Sequence, residues 1–191
     1  MRKIGVLILG TYRSGTSALT GVMHRLGFES NYQERPIDKT FSPTGSYADN
    51  YFNSRVNVIN WEEYFAVKDQ YEKWCCKHHL LLQNNLCQEF YNNFPQDRER
   101  WLIITNRNIE NAVSSMNSKS SGDYSRSAII HKNICDQLYQ SWDDKKIIVN
   151  FSDLINDTEN TIKSLCNTIQ IDYILEAIEI VNKEISQFGE K

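Results

Sequence analysis

Residues 4–17, IGVLILGTYRSGTS, constrain this chain more than any other stretch. Six apolar or glycine residues run without a polar interruption, the pattern of a strand buried on both faces of a parallel sheet. The run leads into Gly10-Thr11-Tyr12-Arg13-Ser14-Gly15-Thr16-Ser17. Beyond it Leu19, Val22, Met23 and Leu26 recur at helical spacing, with Gly27 as a C-terminal stop. A strand, a glycine turn and a helix together offer backbone N–H groups and the positive helix end to an anion. Gly10 and Gly15 keep the glycine spacing of G-x-x-x-x-G-K-[ST], but Thr16 stands where a lysine would reach the β/γ-phosphates of a nucleoside triphosphate. Arg13 is the loop's cation. The expected ligand is a phosphate whose transferable group is gripped differently, met by Arg13, Ser14, Gly15, Thr16 and Ser17.

Apolar runs predict further strands at 73–77, 101–105 and 146–150. Helices are expected after the loop, at about 46–65, at 80–94 before Pro95, along the Ile130, Ile134, Leu138, Trp142 stripe, along Ile162, Leu165, Cys166 and Ile169, and over 174–185. Strands alternating with helices imply a three-layer, P-loop-like α/β fold: a central parallel sheet of about four to five strands flanked by helices. With 191 residues, one domain over 1–191 is expected. The polar segment 28–44, with Pro36 and Pro43, reads as a functional loop.

The formal net charge of −3 argues against a broad nucleic-acid or anionic-membrane footprint. No run approaches a membrane span and no leader peptide is read at the start. Five cysteines without C-x-x-C spacing suit reduced thiols in the cytoplasm. His24 and His131 have no partners at metal spacing, so no metal is expected.

A second anion site is suggested where the third strand gives way to Thr105-Asn106-Arg107. An arginine at a strand's C-terminal end can face a ligand at the sheet's top edge. Ser115, eight residues on, lies about two helical turns further along.

These two sites together resemble the sulfotransferase superfamily, which uses 3′-phosphoadenosine 5′-phosphosulfate (PAPS). Residues 12–17 resemble its P-[KR]-S-G-T-[ST] loop, with Tyr12 for the proline. Arg107 to Ser115 resembles R-[ND]-P-x5-S, with Ile109 for the second proline. Trp74-Cys75-Cys76-Lys77-His78-His79-Leu80 is similar to a W-x-x-K-D-P-R segment, of which Trp74 and Lys77 remain. Residues 148–154 resemble the family's late strand, Tyr-Glu-Asp-Leu and helix.

The resemblance implies sulfuryl transfer from PAPS to a hydroxyl or amine acceptor without a metal. It implies a 5′-phosphosulfate in the first loop and a 3′-phosphate on Arg107 and Ser115. Arg13 and Lys77 are then the expected transition-state cations. For the general base the candidates are Glu34, then Asp49, then His78. The acceptor stays open among small molecules, glycans, lipids and protein hydroxyls. Two other readings stand beside this one: a P-loop kinase or NTPase, and a relative that binds PAPS without turnover.

Overall fold

A computed structural model describes residues 2–30, 52, 59–83, 86–118 and 122–185. Four parallel strands form one sheet among these residues: β1 (Ile4–Gly10), β2 (Lys73–Cys76), β3 (Glu99–Asn106) and β4 (Lys145–Asn150), in the order β2-β1-β3-β4. The β1–β3 pairing runs from Ile4 opposite Glu99 to Gly10 opposite Thr105, so both strands end together at the top edge.

The apolar run of β1 divides by alternation between two cores. Ile4, Val6 and Ile8 join one core with Leu19, Val22 and Met23 of α1 (Thr16–Arg25), α8 (Thr158–Ile169) and α9 (Ala177–Ile185). Leu7 and Leu9 join the other with α2 (Trp61–Lys68), α4 (Cys87–Asn93) and α6 (Ser125–Ser141). Gly5 sits where that second core presses closest. A Cβ there would come 2.6 Å from Phe94 Cε1 and 2.7 Å from Trp74 Cζ2, so only glycine fits.

Gly27 stops α1 as expected, with φ 87° and its N–H on the His24 carbonyl at 3.0 Å. The expected helix at 80–94 is instead two, α3 (Leu80–Gln83) and α4, with Phe94 extended before Pro95. Asparagine disfavours helix interiors, and residues 84–85 between the two helices lie outside the described residues. The helix expected at 46–65 falls largely outside them too. Its described part, α2, starts from the Asn60 cap and runs on to Lys68. On α6 the buried line is Ala128, His131, Cys135 and Leu138, one position round from the expected stripe. Ile130 is 46% exposed, and Trp142 is buried just past the helix end. No helix among the described residues is long and apolar enough to cross a membrane.

At the lower edge Glu99 clamps three strands' beginnings. It accepts from Arg2 Nη2 at 2.6 Å and Lys145 Nζ at 2.7 Å. The Arg2 hydrogen bond, chiefly, holds its pKa down at about 2. A depressed carboxylate stabilises the fold above its unfolded value of about 4.5 and loses that contribution as pH falls toward about 2. Solvent reaches the cluster, so the effect is about 1 kcal/mol or less. Glu99→Gln should lower the melting temperature at pH 7 by about 2–4 °C or less. It should also flatten the stability profile between pH 4.5 and about 2, as read by calorimetry across pH.

Candidate anion and transfer site

The connections from β1 and β3 diverge. One leads by way of α1 to β2, the other through α5 (Ile109–Asn117) and α6 to β4. Such a switch point opens a crevice beyond the strand ends, and the loop of residues 10–15 and Arg107 both lie there.

The loop is built from within. Ser14 is fully buried. Its hydroxyl bonds the Thr11 carbonyl at 2.7 Å and the Thr105 hydroxyl at 2.7 Å, and its N–H bonds the Thr11 carbonyl at 3.2 Å. Thr105 Oγ1 also lies 3.3 Å from the Leu9 carbonyl. Ser14, expected among the phosphate contacts, ties the loop to β1 and β3. Arg13 and Gly15 both have positive φ, 61° and 91°. These positive-φ residues turn the chain from β1 into α1. Gly15 at the N-cap has no side chain to cap α1 and no acid sits in the helix's first turn, so its positive end suits an anion. Gly15 has a second constraint. A Cβ there would stand 2.6 Å from Phe151 Cδ2. Phe151 opens α7 (Phe151–Asn156) at the end of β4.

Two guanidiniums meet at this crevice. Arg107 Nη1 donates to the Arg13 carbonyl at 2.8 Å, and Arg13 Nε donates to Ser115 Oγ at 3.3 Å. The Arg107 guanidinium lies 4.3 Å from the Phe151 ring centroid. Burial, then the charge on Arg13, lower the Arg107 pKa. Among the described residues Arg107 has no carboxylate partner, so a half-buried cation next to another cation lacks a counter-charge. Asn108 caps α5, accepting from the Asn111 N–H at 3.1 Å, which sets the helix that carries Ser115.

Lys77 follows β2 directly and donates to Ser17 Oγ at 3.2 Å. His78 is buried, and its Nδ1 accepts from the Leu80 N–H at 3.2 Å. His79 stacks on His78 with centroids 4.6 Å apart. Burial of its ring, then the charges of Lys77 and His131, hold its pKa below the usual 6.5. A cavity of about 290 Å³ opens over the loop, lined by Arg13, Gly15, Thr16, Ser17, Lys77 and His79 among others.

The expected Arg13, Gly15, Thr16, Ser17 and Lys77 thus share one cavity, with Arg107 and Ser115 joined to it through Arg13. Glu34 and Asp49 lie outside the described residues. Sequence reasoning missed that Tyr12, His79, His131 and Phe151 also line this cavity. The Lys77-His78-His79 triplet at a strand end was the available signal for His79. Phe151 and His131 are brought in by tertiary packing alone. Among the described residues no three His, Cys, Asp or Glu side chains gather as a metal site.

By sequence, no family model and no curated protein matches this chain. Solved structures do. The sulfotransferase domain of the Synechococcus PCC 7002 olefin synthase is similar with a TM-score of 0.58 at 13% identity, over 93% of this chain and 76% of that one. Sulfotransferase STF1 from Mycobacterium tuberculosis has a TM-score of 0.53 at 12% identity, over 100% of this chain and 74% of that one. The sulfotransferase domain from the curacin biosynthetic pathway has a TM-score of 0.52 at 13% identity, over 94% and 78%. At such identities the likeness establishes the fold, which is sulfotransferase-like.

Gly15→Ala should cost about 1–2 kcal/mol from the positive φ alone, with a further loss from the Phe151 contact. Chemical denaturation measures the sum. A variant as stable as the parent would contradict this geometry.

Proposed function

We propose that this sulfotransferase-like fold carries a PAPS-dependent sulfotransferase, moving a sulfuryl group to a hydroxyl or amine acceptor. The observation that carries the reading is the half-buried Arg107 guanidinium beside Arg13, next to the uncapped start of α1. These are two adjoining anion sites, and PAPS bears phosphate at both its 5′ and 3′ positions. Arg107 and Ser115 suit the 3′-phosphate. The N–H groups at the α1 start and the Thr16 and Ser17 hydroxyls suit the 5′-phosphosulfate. The buried Thr11 hydroxyl at the cavity floor, without a hydrogen-bond partner among the described residues, adds a polar group there.

When bound, the donor supplies an activated sulfuryl group: an acceptor oxygen or nitrogen bonds the sulfur, and the old bond's electron pair leaves on the 5′-phosphate oxygen. The chain's residues do the rest. Lys77, already at Ser17, faces the charge that gathers around the loop. Arg13 starts from its bond to Ser115 and offers its planar fork to the same oxygens. His79, held neutral at pH 7 by its depressed pKa, takes the acceptor's proton. Five free, buried cysteines, with Cys87 and Cys135 pushed up to about 12 by burial, suit a reducing cytoplasm.

Calorimetric titration with adenosine 3′,5′-bisphosphate, AMP and ATP–magnesium tests the donor class. The bisphosphate should bind at least roughly tenfold tighter than AMP, and Arg107→Ala should remove about 10- to 100-fold of that affinity. Equal affinities, or preference for ATP–magnesium, would return the loop to the nucleoside-triphosphate class. Lys77→Ala should keep bisphosphate affinity and lower transfer about 100-fold. Transfer should fall as pH drops through the His79 pKa, below 6.5, because the imidazole then arrives already protonated. His79→Asn should erase that limb of the pH–rate profile.

A further inference from the structure

We infer that a single ordered water is a built part of the anion site, held between the Thr11 hydroxyl and the Arg107 guanidinium, and that Thr11 positions Arg107 through it. The water follows from this chain's own residues. Its effect on donor binding rests on the reading above.

Beside the loop lies a second, much smaller cavity, of about 10 Å³. Three elements wall it. Thr11 comes from the loop, Arg107 follows β3, and Lys132 and Asp136 come from α6. Thr11 lines the larger cavity as well, so residue 11 stands between the two.

The Thr11 hydroxyl calls for a partner. Thr11 is 7% exposed, and its Oγ1 has no hydrogen-bond partner among the described residues. The hydroxyls nearby in the loop are committed elsewhere: Ser14 Oγ bonds the Thr11 carbonyl and the Thr105 hydroxyl, both at 2.7 Å. A buried hydroxyl left unpaired is costly, and an ordered water commonly satisfies one. Such a water needs room of about 10–15 Å³ and at least two polar partners. The small cavity offers the room, and Thr11 is the first partner.

Arg107 is the second. A guanidinium carries five N–H donors. Arg107 Nη1 donates to the Arg13 carbonyl at 2.8 Å, and the Phe151 ring centroid lies 4.3 Å from the group. A water on a further N–H lowers the cost of half-burying the cation and adds no negative charge. A carboxylate on the same N–H would cancel the charge that an anion meets. The carboxylate of this cavity is held by another cation: Asp136 Oδ2 accepts from Lys132 Nζ at 2.7 Å. A neutral molecule therefore suits the space beside Arg107. With the Arg13 carbonyl and the water both in place, the guanidinium is set before a ligand arrives, which favours affinity.

Crystals of the protein without nucleotide, diffracting to high resolution and compared with crystals soaked in sodium bromide, test the site directly. One water within about 3.2 Å of both Thr11 Oγ1 and an Arg107 nitrogen is expected. Bromide in the cavity, an empty cavity, or a Thr11 hydroxyl bonded only to protein atoms overturns the inference. Thr11→Val keeps the side chain's shape and removes the hydroxyl. In calorimetric titrations it should lower affinity for adenosine 3′,5′-bisphosphate about 3- to 10-fold and that for AMP, which has no 3′-phosphate, less than about twofold. Thr11→Ser, which restores the hydroxyl, should recover the bisphosphate affinity. AMP binding certifies the fold of each variant. The valine variant should also melt below the parent, because removing an unpaired hydroxyl is neutral or stabilising whereas removing a water-bonded one is not. Equal losses for both nucleotides, or no loss for either, overturn the positioning role. Wild type that does not prefer the bisphosphate to AMP overturns the donor reading, while the crystals still decide the water.

Discussion

The site depends on one buried hydroxyl. Ser14 ties the Thr11 carbonyl to the Thr105 hydroxyl, and Thr105 reaches back to the Leu9 carbonyl. These bonds lock the ends of β1 and β3 to the loop between β1 and α1. Once the loop is fixed, the positive φ values of Arg13 and Gly15 follow, and with them the direction of α1. The Arg13 carbonyl then faces Arg107, and its guanidinium meets Ser115. The loop serine is thus the fastener that brings the other candidate phosphate contacts together.

Fixing the loop also concentrates like charge. A half-buried guanidinium is costly without a counter-charge, and a second cation beside it raises that cost. Burial and Arg13 together lower the Arg107 pKa. The stacking of Arg107 on Phe151 offsets part of the penalty. The proposed phosphate ligand is the counter-charge that this arrangement suits. The lower edge of the sheet works in the opposite sense. There Glu99 satisfies Arg2 and Lys145 within the chain, leaving nothing for a ligand. One edge is closed by ion pairs within the chain, and the other carries the candidate site.

The fold was legible where the signal was local. The β1 run, the glycine spacing and the Gly27 stop depend on residues adjacent in sequence, and the structure follows them. The α6 stripe misled because apolar periodicity cannot tell which neighbour a helix will meet. Close approach to β1 and β3 selected the small Ala128 and Cys135, and this turned His131 toward the cavity and Ile130 outward. The 80–94 pattern misled because apolar periodicity alone does not mark where α3 ends at Gln83 and α4 begins at Cys87. Within the site, Arg13, Lys77, Arg107 and Ser115 were readable because each stands at a strand end or a fixed helical spacing. Phe151 and Tyr12 were not, since each acts through a ring contact with residues remote in sequence.

Tyr12 stands where the resemblance expects proline, and that difference explains more than it disturbs. Proline would stiffen the turn through its fixed φ and contribute little surface. Here rigidity comes from the Ser14 bonds and the packing of Phe151 over Gly15, so residue 12 is released from that duty. The freed position carries a ring, and the ring meets His131 and His79. Moving the structural task to buried hydrogen bonds lets residue 12 bring a ring to the cavity wall. The ring of Tyr12 and the guanidinium of Arg13 both line the cavity, and a single backbone turn sets their relative placement.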